Sequence, residues 1–208
     1  MWDWTENQMT LILIRHGKTR ANEEQRYLGQ EDEPLSAMGR DELCQRKKRK
    51  TYPQVDCVFT SPMKRCRQTA GLLYPELSAE VIEQWREIDF GLFSGKNHQE
   101  LQDNHDYLSW LDSNVTLPFP KGESREEFLV RCEAGFEEMI RRVEQIGIEK
   151  KTALTRIGLV VHGGVIMALL SRFGGGDFFD YQIKNGEYYS VQLKKRGKRM
   201  RFEELVKG

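Results

Sequence analysis

Short apolar runs recur along the chain, and each stops at a charged or turn-forming residue. Residues 10–15 (TLILIR) form the first run, 55–62 (VDCVFTSP) the second and 155–164 (TRIGLVVHGG) the third. Runs of this length with no polar alternation predict strands covered on both faces, as in a parallel sheet. VIEQWREIDFG at 81–91 reads as a further strand or strand-like segment ended by Gly91, and YYSVQL at 188–193 as the last strand. The region 188–203 as a whole is hairpin-like.

Helical patterning fills the intervals. Ser36 is placed to cap a helix running to about Lys48. Pro62 suits the first position of a helix over MKRCRQTAGLLY, where its missing N–H costs little. Residues 97–113 predict a polar helix anchored by Leu101, Leu108 and Leu111. Ser124 and Glu127 make a capping box, and the helix it opens repeats Phe128, Leu129, Cys132, Phe136, Met139, Ile140 and Val143 on one face. VIMALLSRF predicts an apolar helix stopped by three glycines. The expected order is strand, helix, strand, helix, strand, helix, helix, strand, helix, strand. That order predicts an α/β three-layer sandwich whose mostly parallel central sheet is flanked by helices. Residues 1–9 read as a polar N-terminal extension and 10–208 as a single domain.

Composition narrows the partners. Lys+Arg and Asp+Glu both number 32, so the formal net charge is zero, which argues against general nucleic-acid binding. Basic clusters at 46–50 and 194–199 and an acidic-rich stretch at 123–138 read as solvated surface. The cysteines at 44, 57, 66 and 132 form no CxxC pair and stand at no zinc-finger spacing, which fits a reducing, cytoplasmic setting. No apolar stretch approaches a membrane span, and MWDWTENQ lacks the features of a signal peptide.

The chemistry gathers at the strand ends. Ligands of open α/β sheets bind beyond the carboxyl ends of the strands. The runs at 10–15 and 157–161 both finish in a histidine followed by glycine, so His16 and His162 are expected on one sheet edge. Arg15 and Arg65 offer forked donors that match phosphate oxygens. Glu87 can deliver a proton to a leaving group. Glycines after each histidine let backbone N–H groups approach an oxyanion, and the helix after His162 presents its positive end. With no acidic cluster suited to a magnesium ion, the set predicts phosphoryl transfer without metal or cofactor. His98, His105 and Arg67 read as surface residues, and Arg131 as a brace. Trp85, Phe93, Tyr107 and Trp110 read as core side chains with some capacity to line a substrate wall. The turn at Glu123 and Ser124 can approach the pocket.

RHGKTRAN, GQEDEPLSAMG, TSPMKRCRQTA, REIDFGLFSG, GES and VVHGG occur in an order that resembles the histidine phosphatase superfamily, the group similar to phosphoglycerate mutase. The likeness spans about residues 10 to 193. It implies that His16 is the nucleophile and becomes phosphorylated. Arg15, Arg65 and His162 would bind phosphoryl oxygens, and Glu87 would be proton donor and then base. Asn22 would contact the phosphate, and Gly163 would offer its N–H. Lys18 and Val161 depart from the usual pattern at positions that carry no catalytic role. A hydrogen bond from the second ring nitrogen of His16 to a backbone carbonyl is expected to fix the reactive tautomer.

The segment 93–122 would be a lid and specificity segment. Its shortness, with a chain that stops soon after the last strand, favours a phosphatase over a cofactor-dependent phosphoglycerate mutase. DYLSWLDSNVTLPFPKGESREEF resembles α-ribazole phosphatases and broad-specificity phosphatases, and is also similar to fructose bisphosphatases of the group. The expected partner is a small phosphate ester. A non-catalytic phospho-ligand-binding module is the reading from another class, and the retained histidines and arginines argue against it.

Overall fold

A computed structural model of the chain describes residues 9–49, 52–113, 116–196 and 199–208. The first apolar run becomes β1 (Met9–Arg15). Leu11 and Leu13 enter one hydrophobic cluster, and Ile12 and Ile14 enter the other. Successive side chains of a strand point to opposite faces, so a strand with a core on each side needs no polar position. Met9, assigned from the sequence to the extension, is fully buried in this strand. The rest of that extension, 1–8, lies outside the described residues.

After β1 come a single turn of helix, α1 (Arg20–Glu23), and then α2 (Ala37–Lys48). Ser36 caps α2 as expected, its Oγ accepting from the Gly39 N–H at 2.9 Å. Arg46, Lys47 and Lys48 occupy its last turn, where the helix dipole favours positive charge. Lys50, the last residue of that basic cluster, is outside the described residues.

The second run gives β2 (Cys57–Thr60), and α3 (Lys64–Leu73) follows. Pro62 is not the first helical residue. Met63 is the N-cap, and Pro62 lies in the bend ahead of it. The segment 81–91 is also not the strand its hydrophobicity suggests. Pairing is confined to β3 (Ala79–Val81), followed by a 3-10 turn at Glu83–Trp85 and irregular backbone to Gly91. Trp85 and Ile82 are fully buried there, so the apolar pattern reflects burial of a loop, not a ladder.

The predicted helix over 97–113 is broken into α4 (His98–Leu101) and α5 (His105–Asp112), each with its own Asn cap. Leu101 is buried as expected, but Leu108 and Leu111 are 45% and 37% exposed. Tyr107 and Trp110 are the buried side of α5 instead. The long helix α6 (Arg125–Lys150) has the predicted capping box and apolar face. β4 (Arg156–Val161) leads straight into α7 (Gly163–Gly174), with His162 as N-cap.

The chain then forms a hairpin of β5 (Tyr188–Arg196) and β6 (Arg199–Lys207). β6 was legible only as part of a hairpin-like region. Its central FEELV interrupts strand alternation with two acids, and pairing with β5 shifts register between Ser190 and Gln192.

The sheet order is β3-β2-β4-β1-β5-β6. β1–β4, β2–β4 and β2–β3 run parallel, and β5 runs antiparallel to β1 and β6. On one face α2 and α3 supply Leu43, Cys66, Ala70 and Leu73. On the other, α6 and α7 supply Phe128, Phe136, Met139, Val165 and Leu169. The result is the expected α/β sandwich of three layers. β1 and β4 lie side by side with Arg15 opposite Val161, so His16 and His162 leave the sheet together.

Candidate active site

The two strand-end histidines meet. Their ring centroids are 5.2 Å apart at an interplanar angle of 70°. His16 is almost wholly buried, and its Nδ1 lies 2.7 Å from the Gly17 carbonyl oxygen. A carbonyl only accepts, so Nδ1 carries the proton and Nε2 carries the lone pair. Burial, then the charges of Arg65 and Arg15, hold the His16 pKa well below the usual imidazole value. The ring is therefore neutral near pH 7, as a nucleophile requires. Gly17 packs into α2. A Cβ there would lie 2.5 Å from Leu43 Cδ1, and the Gly17 N–H donates to Thr69 Oγ1 at 3.0 Å.

His162 is fully buried. Its Nδ1 accepts from Arg65 Nε–H at 3.3 Å, which leaves the proton on Nε2, 2.8 Å from Ser61 Oγ. Burial, Arg65 and His16 depress its pKa, so this ring is neutral too. Arg65 reaches the site from the first turn of α3 and is fully buried. Its Nη1 and Nη2 donate to the carbonyls of Glu31 and Gly29, both at 2.7 Å. The forked end is thus held by the 29–31 loop, and its charge is delivered to both histidines.

Arg15 is held differently. Nη1 donates to the Ile183 carbonyl at 2.6 Å, while its buried Nε has no hydrogen-bond partner among the described residues. An unsatisfied buried donor costs roughly 1–3 kcal/mol, and the natural complement of this one is an anion. A Cβ on Gly163 would stand 3.3 Å from that Nε, so glycine keeps the helix terminus close to the guanidinium.

Glu87 lies in the irregular segment after β3 and is buried. Its Oε1 accepts from the Ile88 N–H at 3.0 Å, and its Oε2 from the Gly164 N–H at 3.3 Å. Burial raises its pKa above the usual carboxylate value, against the opposing pull of those N–H groups and the two arginines. The first turn of α7 is thus the hub. It carries His162, lies against Arg15 through Gly163 and holds Glu87 through Gly164.

Asn22 is placed less directly. Its Oδ1 accepts from the Thr19 N–H at 3.2 Å and from Asn185 Nδ2 at 3.2 Å, and Asn185 Nδ2 also donates to the His16 carbonyl. In this structure it braces the backbone of His16 through Asn185. Lys18 pairs with Glu42 at 2.8 Å, and Val161 is buried in the sheet. Glu83 and Arg67 are exposed, and the Asp89 side chain is occupied by the Gly91 N–H. Glu87 is therefore the acid of its segment that enters the site.

Arg131 is the brace it was expected to be. It donates to the carbonyls of Gln84 and Arg86 at 2.6 and 2.9 Å, and its other Nη reaches Glu123 at 2.7 Å. This fixes the backbone from which Glu87 projects and gives Glu123 its task. His105 is 94% exposed, and His98, also exposed, touches the Tyr107 hydroxyl at 3.2 Å.

A cleft of about 370 Å³ opens above Arg15, Glu87, Gly163 and Gly164. Tyr27, Phe90, Trp110, Phe119, Phe178 and Phe179 form most of its wall. Of the four aromatics singled out in the sequence, only Trp110 lines it. Trp85, Phe93 and Tyr107 are core. Tyr27, Phe90, Phe119 and the Phe178-Phe179 pair had no periodic signal, since they come from three separate loops and a short 3-10 turn. Ser61 and Gly164 were also missed as site residues, although TSP and HGG frame them.

Among the described residues no group of three or more His, Cys, Asp or Glu side chains is arranged to hold a metal ion. Among the described residues no helix is long and apolar enough to cross a membrane.

The comparisons with known proteins agree with this geometry. The chain is 31% identical over 177 residues to the uncharacterized phosphatase PhoE of Bacillus subtilis, covering 81% of this chain and 80% of that one. It is 30% identical over 193 residues to phosphoserine phosphatase 1 of Hydrogenobacter thermophilus, covering 89% and 87%. The crystal structure of the α-ribazole phosphatase of Shigella flexneri superposes with a TM-score of 0.73 at 25% identity, covering 95% of this chain and 96% of that one. The family model of the histidine phosphatase superfamily, branch 1, matches residues 11–204, a span that includes every residue of the cluster above. The chain belongs to the histidine phosphatase superfamily and is a phosphatase.

Proposed function

We propose that the protein hydrolyses small phosphate monoesters through a phosphohistidine at His16. One observation carries this reading: His16 is buried, neutral and tautomerically fixed by Gly17, beside two guanidinium groups and a carboxyl group raised in pKa by burial. In the first step His16 Nε2 attacks phosphorus. The bond from phosphorus to the leaving oxygen breaks, and Glu87 gives that oxygen its proton. In the second step Glu87, now a carboxylate, takes a proton from water as the water oxygen attacks phosphorus. The N–P bond breaks and inorganic phosphate is released.

Arg15 Nε–H, the Arg65 charge, His162 and the Gly163 N–H would neutralise the phosphoryl oxygens as charge develops on them. A phosphoryl oxygen would compete with Ser61 for the His162 proton. Asn22 would act on the phosphate through Asn185 and the His16 backbone. The segment 93–122 would be the specificity segment, since Trp110, Leu117 and Phe119 face the cleft.

The aromatic wall favours a substrate with a flat, apolar leaving group. α-Ribazole 5′-phosphate is the leading candidate, supported by the likeness to the Shigella flexneri enzyme, with broad specificity toward aryl esters as the wider form of the same reading. The test is release of phosphate from p-nitrophenyl phosphate and α-ribazole phosphate by wild type and His16→Ala. The expected loss in the variant is at least 10³-fold, on the order of 4 kcal/mol. Equal rates would remove His16 from the mechanism. Isomerisation of 3-phosphoglycerate that outruns phosphate release would make the enzyme a mutase.

A further inference from the structure

Arg15, Gln182 and Ile183 line two cavities. The second is an open groove of about 670 Å³ between α2, the Lys18 loop and the 182–185 loop. Among the described residues its wall carries Arg15, Lys18, Arg46, Arg49, Lys184 and Lys207, with Glu42 as the sole acidic side chain. Glu42 pairs with Lys18, and Glu187 pairs with Lys207 from beside the groove. Positive charge is still in excess, in a chain whose formal net charge is zero. Among the described residues Ile183 is the one apolar residue on the wall, and no aromatic ring lines it. The groove therefore offers charge without a stacking surface, the reverse of the catalytic cleft.

We propose that this groove is a second anion site, distinct from the catalytic cleft, and that it takes a compact polyphosphate. The cations come from separate elements, α2, the Lys18 loop, the 182–185 loop and β6, and two or three linked phosphates present several charges to them at once. A nucleotide would gain nothing for its base. Field lines from like charges on a concave wall add, so the site draws anions at low ionic strength and weakens as salt rises.

The test is calorimetric titration of sodium tripolyphosphate into the full chain, with orthovanadate present to fill the catalytic cleft. The expected result is one tripolyphosphate bound per chain, with affinity lowered tenfold or more by Arg46→Glu combined with Arg49→Glu. Lys184→Glu serves where the double variant fails to fold, with a melting curve as the check. Binding abolished by vanadate, equal affinity in the charge-reversed proteins, or sulfate bound as tightly as tripolyphosphate would each overturn the proposal.

Discussion

Gly164→Ala probes the placement of Glu87 with a single added methyl group. Its Cβ would stand 2.3 Å from Glu87 Oε1 and 3.2 Å from both the carboxyl carbon and Phe128 Cε1. To restore a 3.0 Å separation the carboxylate must retreat by about 0.7 Å. It has no slack, because it is buried and held by the N–H groups of Ile88 and of Gly164 itself. A misplacement of about 1 Å costs on the order of 10²-fold in rate, or about 2.7 kcal/mol. Alanine also favours helix over glycine by up to about 1 kcal/mol, which offsets part of the strain in the folded state. The expected variant is folded, melts within about 5 °C of wild type and has kcat lowered about a hundredfold on glycerol phosphate. The loss should be smaller on p-nitrophenyl phosphate, whose leaving group departs with little help from an acid. Comparing kcat on the two esters, beside a melting curve, is the assay. Turnover of glycerol phosphate within twofold of wild type would refute the claim that Glu87 works from this position.

The pH profile follows from the two buried groups. Attack needs His16 unprotonated, and its depressed pKa puts that limb below about 6.5. Proton donation needs Glu87 protonated, and its raised pKa puts the falling limb above 4.5. The kcat/KM profile is therefore expected to have a rising limb displaced to lower pH by His16 and a falling limb displaced to higher pH by Glu87, and Glu87→Gln should lose the falling limb along with most of its rate; a retained alkaline limb would assign it to another group. Trp110→Ala opens the aromatic wall and is expected to raise KM for aryl phosphates about tenfold while changing KM for glycerol phosphate less than twofold. An equal effect on both would show that the wall does not select the leaving group.

The sandwich was legible because its strands are buried on both faces. β1 and β4 are continuous apolar runs, and each is followed at its carboxyl end by a histidine and a glycine. The caps at Ser36 and Ser124 marked helices by local chemistry that the rest of the fold left intact. Hydrophobicity misled where a loop is buried. Residues 81–91 carry strand-like composition, yet Ile82, Trp85 and Ile88 serve to seat Glu87 under Arg131. The break between α4 and α5 was hidden because Asn104 both ends one pattern and caps the next. The charged centre of the site was readable from strand ends, but its aromatic wall is assembled from segments far apart in the chain. No periodicity within one segment reports that.

The central claim is that the phosphoryl group passes through His16. The stereochemical course at phosphorus tests it directly, using a phosphate monoester chiral at phosphorus through oxygen isotopes and an acceptor alcohol that takes the phosphoryl group in place of water. Two successive in-line displacements, the first by His16 Nε2 and the second by the acceptor, give retention of configuration. Inversion would mean that the acceptor attacks the ester directly, and His16 would then not be the nucleophile.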